Sequence, residues 1–283
     1  MSLLAVNALN STTGNYLNFS FIMKKLTLFV AAAFLTAHAA IAGSITLDGI
    51  VRDFYYNGTP SGGLLSGHAD FQNVIADDRG IVSTHLGADG TPIYAGGAGT
   101  VTTHGAAGFN QWYHDTPGVN LSVHSAITLN ETGPGSGIYS YQNSAFFPID
   151  NQLGGNQGNP SHNYAFTYQI HSTFTYQAGQ TFGFTGDDDV WVFINKDLAL
   201  DLGGVHGAES GVVNLDTLSL TAGNTYDFDF FFAERHTSAS NLKIETSIPL
   251  VSTSVPDSGS ALMCLCLSSV VILGLRRVLP VRS

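Results

Sequence analysis

Between residues 225 and 232 the chain reads Thr-Tyr-Asp-Phe-Asp-Phe-Phe-Phe, which puts Tyr226, Phe228, Phe230 and Phe232 on one side and Asp227 and Asp229 on the other. Residues 241–248 repeat the device, with Leu242, Ile244 and Ile248 opposite Asn241, Lys243, Glu245 and Ser247. Phe166, Tyr168, Ile170, Phe174 and Tyr176 keep even spacing over a longer stretch. Successive side chains of a strand point to opposite faces, so this period predicts half-buried antiparallel strands. Val190 to Asn195 is apolar on both faces and predicts a central strand. Gly, Asn and Asp punctuate these runs, as in Gly154-Gly155-Asn156 and Gly203-Gly204, and helical periodicity is scarce. The pattern predicts an all-β chain, an antiparallel β-sandwich with long Gly-rich loops. Residues 60–165 read as irregular, with long loops and a few short strands. No repeat of 20–50 residues and no linker divides the body, so a single domain is expected.

Two apolar segments depart from this pattern. Met23-Lys24-Lys25 precedes the run Leu26 to Leu35 and the small-residue stretch Ala39-Ala40-Ile41-Ala42-Gly43. A basic start, an apolar helix and an Ala-x-Ala pattern predict a signal peptide over 23–42, cut after Ala42. Residues 1–22 then have no part in export, and Met23 is the expected start. At the other end Ala261 to Leu275 carries no charge and is followed by Arg276 and Arg277. Fifteen residues are short for a permanent span, which takes roughly 20. Val255-Pro256-Asp257-Ser258-Gly259, the hydrophobic helix 261–275 and the basic tail resemble, in that order, the C-terminal sorting signals of the PEP-CTERM class. That resemblance implies that 251–283 is a sorting signal met by export machinery and an exosortase-like processing enzyme. The chain is then displayed at the cell surface or released, with membrane contact through the terminal segments alone. A simple single-pass anchor is the alternative.

Composition narrows the function. Of 283 residues, 11% are charged, against roughly 25% in ordinary soluble domains, while 18 Phe and 11 Tyr supply ample core material. Within 43–254 stand 20 acids and 5 bases, a net charge of −15. A nucleic-acid partner is excluded, because phosphate neutralisation needs a basic surface. Both cysteines, Cys264 and Cys266, lie in the C-terminal apolar segment, so the body has neither disulfide nor thiolate chemistry.

Gly186-Asp187-Asp188-Asp189 sits between two apolar runs, 181–185 and 190–195. Three neighbouring carboxylates repel one another, and a stiff loop keeps them ionised only with a counter-charge. Calcium provides one, since it prefers several oxygen ligands; a solvated acidic turn is the alternative. Glu234-Arg235-His236-Thr237 reads as the tip of a hairpin joining 225–233 to 241–248. Should both tips emerge at one end of the sandwich, Glu234 or Asn241 completes a metal shell begun by Asp187 and Asp188. Arg235 is the competing partner, as an ion pair for the aspartates.

The runs 186–195, Asp201-Leu202-Gly203-Gly204-Val205-His206 and Glu234-Arg235-His236-Thr237 closely resemble the fibro-slime domain family. Val51-Arg52-Asp53-Phe54, His68-Ala69-Asp70-Phe71, Phe109-Asn110-Gln111-Trp112-Tyr113, Phe146-Phe147-Pro148-Ile149-Asp150 and His162-Asn163-Tyr164 agree as well, with Ala69 standing where that family usually has Pro. The likeness spans about 45–248 and implies a fibro-slime domain over 43–250. It also implies kinship with the protective-antigen-type, lectin-like β-sandwich. In that wider group an Asp-Asp pair, often joined by a cis peptide, coordinates calcium, which in turn holds two sugar hydroxyls. Asp187 and Asp188 match the pair, Asp189 falls where relatives often have Gly, and the second loop of the site corresponds to 234–241. The implied site is therefore Asp187, Asp188, Asp189, Glu234 and Asn241 around Ca2+. Trp112 or Tyr113 is then a wall for a sugar face and His236 a further contact, the alternative for Trp112 being the core.

No Gly-x-x-x-x-Gly-Lys-Ser/Thr, His-Glu-x-x-His or Gly-x-Ser-x-Gly is present. His162, His206 and His236 are expected to hydrogen-bond loops. A glycosidase needs two carboxyl groups roughly 5–9.5 Å apart, for which Asp188 and Glu234 are the one formal pair. The expectation is an exported binding protein without catalytic residues, taking an extracellular glycan or polysaccharide through calcium. A structural matrix protein in which calcium only locks loops comes second, and a polysaccharide hydrolase using Asp188 and Glu234 third.

Overall fold

The computed structural model describes residues 42–57, 65–156, 158–159 and 161–252. The segments expected to be a signal peptide and a sorting signal lie outside these residues, apart from Ala42, Val251 and Ser252. Among the described residues no helix is long and apolar enough to cross a membrane.

The strands run β1 Ser44–Tyr56, β2 Gly67–His68, β3 Ala76–Asp77, β4 Val82–Leu86, β5 Pro92–Tyr94, β6 Asn120–Glu131, β7 Tyr139–Asn143, β8 Gly158–Asn159 and β9 His162–Asn163. They continue as β10 Phe166–Thr175, β11 Thr181–Gly186, β12 Asp189–Ile194, β13 Asp197–Leu202, β14 Gly204–Val205, β15 Glu209–Asn214, β16 Thr225–Glu234, β17 Leu242–Thr246 and β18 Val251–Ser252. Helix among the described residues is one α-turn, α1 Ala106–Phe109, and two short 3-10 turns. The pairings are antiparallel except between β1 and β2. The all-β, antiparallel expectation is met.

One sheet runs β15-β11-β17-β7-β6-β1-β10-β16-β12-β13-β4-β5 and curls over its own core. Phe182 of β11 packs on Phe228 of β16 with ring centroids 5.0 Å apart, and Phe184 packs on Phe230 at 5.7 Å. β11 and β16 are far apart along the sheet, so these contacts show its two halves facing each other. Leaving a Phe exposed forfeits about 1.5–3 kcal/mol, so a strand apolar on both faces must be central. β12 fits: Val190, Val192 and Ile194 enter the core between the halves, while Trp191 and Phe193 enter a second cluster with Phe54, Phe71, Phe109, Trp112 and Tyr113. β16 also serves both, with Phe228, Phe230 and Phe232 in the first and Phe231 in the second.

Residues 60–165 hold the expected long loops and short strands, with one addition: β6 is a 12-residue strand paired with β1 from Phe54↔Asn120 to Ser44↔Asn130. One expectation needs correction. Residues 225–233 and 241–248 do not form a hairpin. β16 pairs with β10 and β12, whereas β17 pairs with β11 and β7 in the other half of the sheet. β16 lies between β10 and β12 with a core cluster on each face, and its edges are already taken by those two strands.

Candidate functional site

The acidic segment is placed by two chain crossings. Asp187-Asp188 carries the chain from β11 to β12, and 235–241 carries it from β16 to β17. β11 and β17 are neighbours in one half of the sheet, β12 and β16 in the other. Both crossings therefore bridge the halves side by side at one end, which brings residues 187–189 against 234–241. Gly186 permits the approach, since a Cβ there would lie 2.3 Å from the Asn241 carbonyl oxygen. The Asp187–Asp188 peptide is cis.

Each aspartate has its own partners. Asp187 Oδ1 accepts the Asn241 backbone N–H at 2.5 Å, and Oδ2 accepts the Asn241 side-chain amide at 2.8 Å. Asp188 accepts backbone N–H groups from His206 at 3.1 Å and Arg235 at 2.9 Å. Asp189 takes the Gly204 N–H at 2.6 Å and two bonds from Arg235, Nε at 2.6 Å and Nη2 at 3.0 Å. The Arg235 guanidinium also donates to the carbonyls of Asp70 and Thr102 and to Thr102 Oγ1, and it stacks 4.6 Å above the Trp112 ring. Such a forked, fully bonded guanidinium is a rigid pin.

Charge does not balance here. Asp187, Asp188, Asp189 and Glu234 are all buried, and Arg235 is the one buried cation among them. Burial, reinforced by Asp189 and Asp187 and opposed by Arg235, pushes Asp188 up to about 7. Burial beside Asp188 and Asp187 raises Glu234 well above the usual carboxyl range. Burial also raises Asp189, with the bonds from Arg235 pulling it back. Glu234 Oε1 accepts a long 3.4 Å bond from the His236 N–H. The Ser240 hydroxyl nearby donates to the Phe146 carbonyl and only partly offsets the burial of the carboxyl, and Oε2 has no partner. Unpartnered buried polar atoms are rare and expensive. The others among the described residues are Tyr56 Oη, Gln72 Oε1 and His236 Nδ1. They gather round one segment: Tyr56 feels the charge of Glu234 and Asp188, Gln72 donates to the Arg235 carbonyl and to Thr237 Oγ1, and His236 follows Arg235.

Among the described residues no set of three or more His, Cys, Asp or Glu side chains forms a ready cage for a metal. A hard cation here would draw on Asp187 and Asp188, the free oxygen of Glu234, and carbonyls or water. Asn241 would add its amide oxygen if the amide turned over. The donor set is all oxygen and carries excess negative charge, which suits calcium.

The structure thus brings Asp187, Asp188, Glu234 and Asn241 together, and gives Asp189 to Arg235. Trp112 and Tyr113 are not at the surface. Trp112 is fully buried beneath Arg235, and the Tyr113 hydroxyl reaches the Phe232 carbonyl at 3.3 Å. His236 is half-buried beside the acids, its imidazole lowered by burial. Sequence reasoning missed Tyr56, Gln72 and Thr102. The motif His68-Ala69-Asp70-Phe71 was a signal for this neighbourhood, since Asp70 supplies a carbonyl to Arg235 and Phe71 leads to Gln72.

The PA14 domain model matches residues 134–260, which include both crossings. Protein psiQ of Dictyostelium discoideum is 46% identical over 193 residues, covering 64% of this chain and 20% of that protein. Protein psiD of the same organism is 39% identical over 228 residues, covering 72% of this chain and 45% of that protein. The chain therefore spans less than half the length of either relative. Among solved structures, a PA14 sugar-binding domain from an RTX adhesin aligns at 13% identity and a TM-score of 0.29, over 71% of this chain and 90% of that one.

Proposed function

We propose that this chain is an exported binding module of the cell surface or extracellular matrix. In this reading Asp187 and Asp188, with Glu234 and Asn241 beside them, hold a calcium ion and through it a carbohydrate. The observation that carries the reading is the unpartnered, buried Glu234 Oε2 next to two aspartates whose charge Arg235 alone does not offset. Bound calcium supplies coordination positions at which paired sugar hydroxyls replace water. The chain's own residues aim the ligands: Asn241 clamps Asp187, and the N–H groups of His206 and Arg235 orient Asp188. Asp189 is a positioning residue, since its bonds go to Arg235 and Gly204. The PA14 match over 134–260 and the resemblance of 186–195 to the fibro-slime family support the reading. Export through 23–42 and exosortase-like processing within 251–283 belong to it.

The test is thermal unfolding of the wild type and Asp188→Asn, with calcium and with EDTA. Ligand binding to the folded state stabilises by about 2.7 kcal/mol at a hundred times its Kd. The wild type should gain that much in calcium and Asp188→Asn little of it. An equal loss in both conditions would make Asp188 purely structural. A glycan array run with and without EDTA separates a sugar-binding module from a matrix protein whose calcium only locks loops. Retention indifferent to the chelator would remove the metal bridge.

A further inference from the structure

With Trp112 and Tyr113 buried, an apolar contact for a sugar has to come from elsewhere on the rim. Residues 72–78 form a strap fixed at both ends to the segments that orient the aspartates. At one end the Gln72 N–H donates to the Arg235 carbonyl at 2.8 Å. At the other, β3 pairs with β14 through Ala76↔Val205 and Asp77↔Gly204, and the Asp78 N–H donates to the Gly203 carbonyl at 2.9 Å. Between these anchors Val74 is 45% and Ile75 64% exposed. Asp78 Oδ2 clasps a second turn, accepting from Thr102 N–H at 3.0 Å and from the hydroxyls of Thr100 and Thr102. That turn displays Val101, 53% exposed, and Thr102 in turn holds Arg235. Three of the six strongly exposed large aliphatics among the described residues thus stand on two loops tied to one acidic site.

We propose that Val74, Ile75 and Val101 form the apolar wall that receives the C–H face of a pyranose ring whose hydroxyls reach the Asp187–Asp188 site. The inference rests on the calcium–carbohydrate reading above and assigns the residues that would select among sugars. A pyranose is amphipathic in the same way as this rim, with hydroxyls on its edge and carbon-bound hydrogens on its faces. Three branched aliphatics are too few for a protein partner or a second copy, since a stable interface takes about 20–30 residues a side. They suffice for one ring.

The experiment uses the full chain with calcium alone and with a panel of immobilised methyl hexopyranosides in calcium. Val74→Ser with Ile75→Ser, and separately Val101→Ser, should weaken retention of the best-held pyranoside roughly 3- to 10-fold per residue, the scale of one or two methyl groups leaving an apolar contact. Calcium affinity, unfolding midpoint and solution mass should stay at wild-type values. Undiminished sugar retention in both variants would overturn the wall while leaving the calcium reading intact. A fall in self-association without a fall in retention would assign the patch to a second copy and overturn it too. A wild type that retains no pyranoside in calcium would sink the carbohydrate reading, and the wall with it.

Discussion

Asp53 and Asp188 are both buried and both pushed up to about 7, yet their surroundings differ. Asp53 on β1 accepts the Asn163 amide at 2.7 Å and the Gly154 N–H at 2.8 Å, and burial is what raises it. Asp188 also accepts two N–H groups, but Asp187 and Asp189 add repulsion. An orphaned Glu234 oxygen sits in the same cluster. The first carboxyl is a local pin that ties 154 and 163 to β1. The second belongs to a cluster of four buried acids beside one buried cation, in which a Glu234 oxygen has no protein partner. Burial alone therefore does not separate the two; like charges and an unpartnered acceptor distinguish the cluster proposed to hold calcium.

The strongest way to break the comparison is to remove the one buried cation of the acidic cluster. Arg235→Met would leave Asp189 buried with the Gly204 N–H alone, and stripping one member from a buried pair costs roughly 3–5 kcal/mol. Urea unfolding in EDTA should show that loss. A change below 1 kcal/mol would mean that Asp189 had been held neutral and that Arg235 balances nothing.

The next effect appears in pH dependence on the other side of the comparison. A carboxyl whose folded value is raised from 3.8 to about 7 keeps its proton in the folded state where the unfolded chain has lost it. Its contribution is fully present below about 4 and is lost as pH rises through 7. Each unit of displacement is worth about 1.4 kcal/mol. In EDTA, the stability of Asp53→Asn should therefore fall less between pH 4 and 7 than that of the wild type, whatever constant cost the amide adds. Parallel curves would show that Asp53 does not titrate in that window.

Much of this contrast could be read from the chain. The alternation in 166–176, 225–232 and 241–248 and the two-faced run 190–195 are strands as expected, because apolar contrast there is complete. β6 keeps the period, with Leu121, Val123, Ile127 and Leu129 opposite Ser122, His124, Thr128 and Asn130, but Ser125 on the inner face and Ala126 on the outer blur its middle. Pairing partners were illegible for a different reason. Adjacency in sequence suggests a hairpin, whereas β16 pairs along its two edges with β10 and β12, and nothing in its own residues names those partners. The partner of Asp189 was nevertheless encoded in parity. Asp189, Trp191 and Phe193 share one face of β12, and Phe231, Ala233 and Arg235 follow the same face along β16 in the register Asp189↔Ala233. Trp112 under Arg235 had no such parity signal, although its aromatic neighbours Phe109 and Tyr113 favour the core that all three join.

A pair of glycine substitutions gives the smallest effect and the sharpest contrast. A Cβ on Gly154 would meet Tyr55 Cε1 at 2.6 Å and Asp53 Oδ2 at 3.0 Å, both side-chain atoms that can shift. A Cβ on Gly186 would meet the Asn241 carbonyl oxygen at 2.3 Å and must push the second crossing away from the first. Overpacking of this kind costs about 1–3 kcal/mol. The two variants should therefore unfold at similarly reduced denaturant concentrations in EDTA. They should part in calcium, because only Gly186→Ala separates Asn241 from Asp187 and loosens the proposed ligand set. Titration calorimetry with calcium should give a wild-type affinity for Gly154→Ala and a weaker one for Gly186→Ala. Equal affinities would mean that the spacing of the two crossings does not govern the site, and the distinction between a local pin and a ligand cluster would lose its geometric basis.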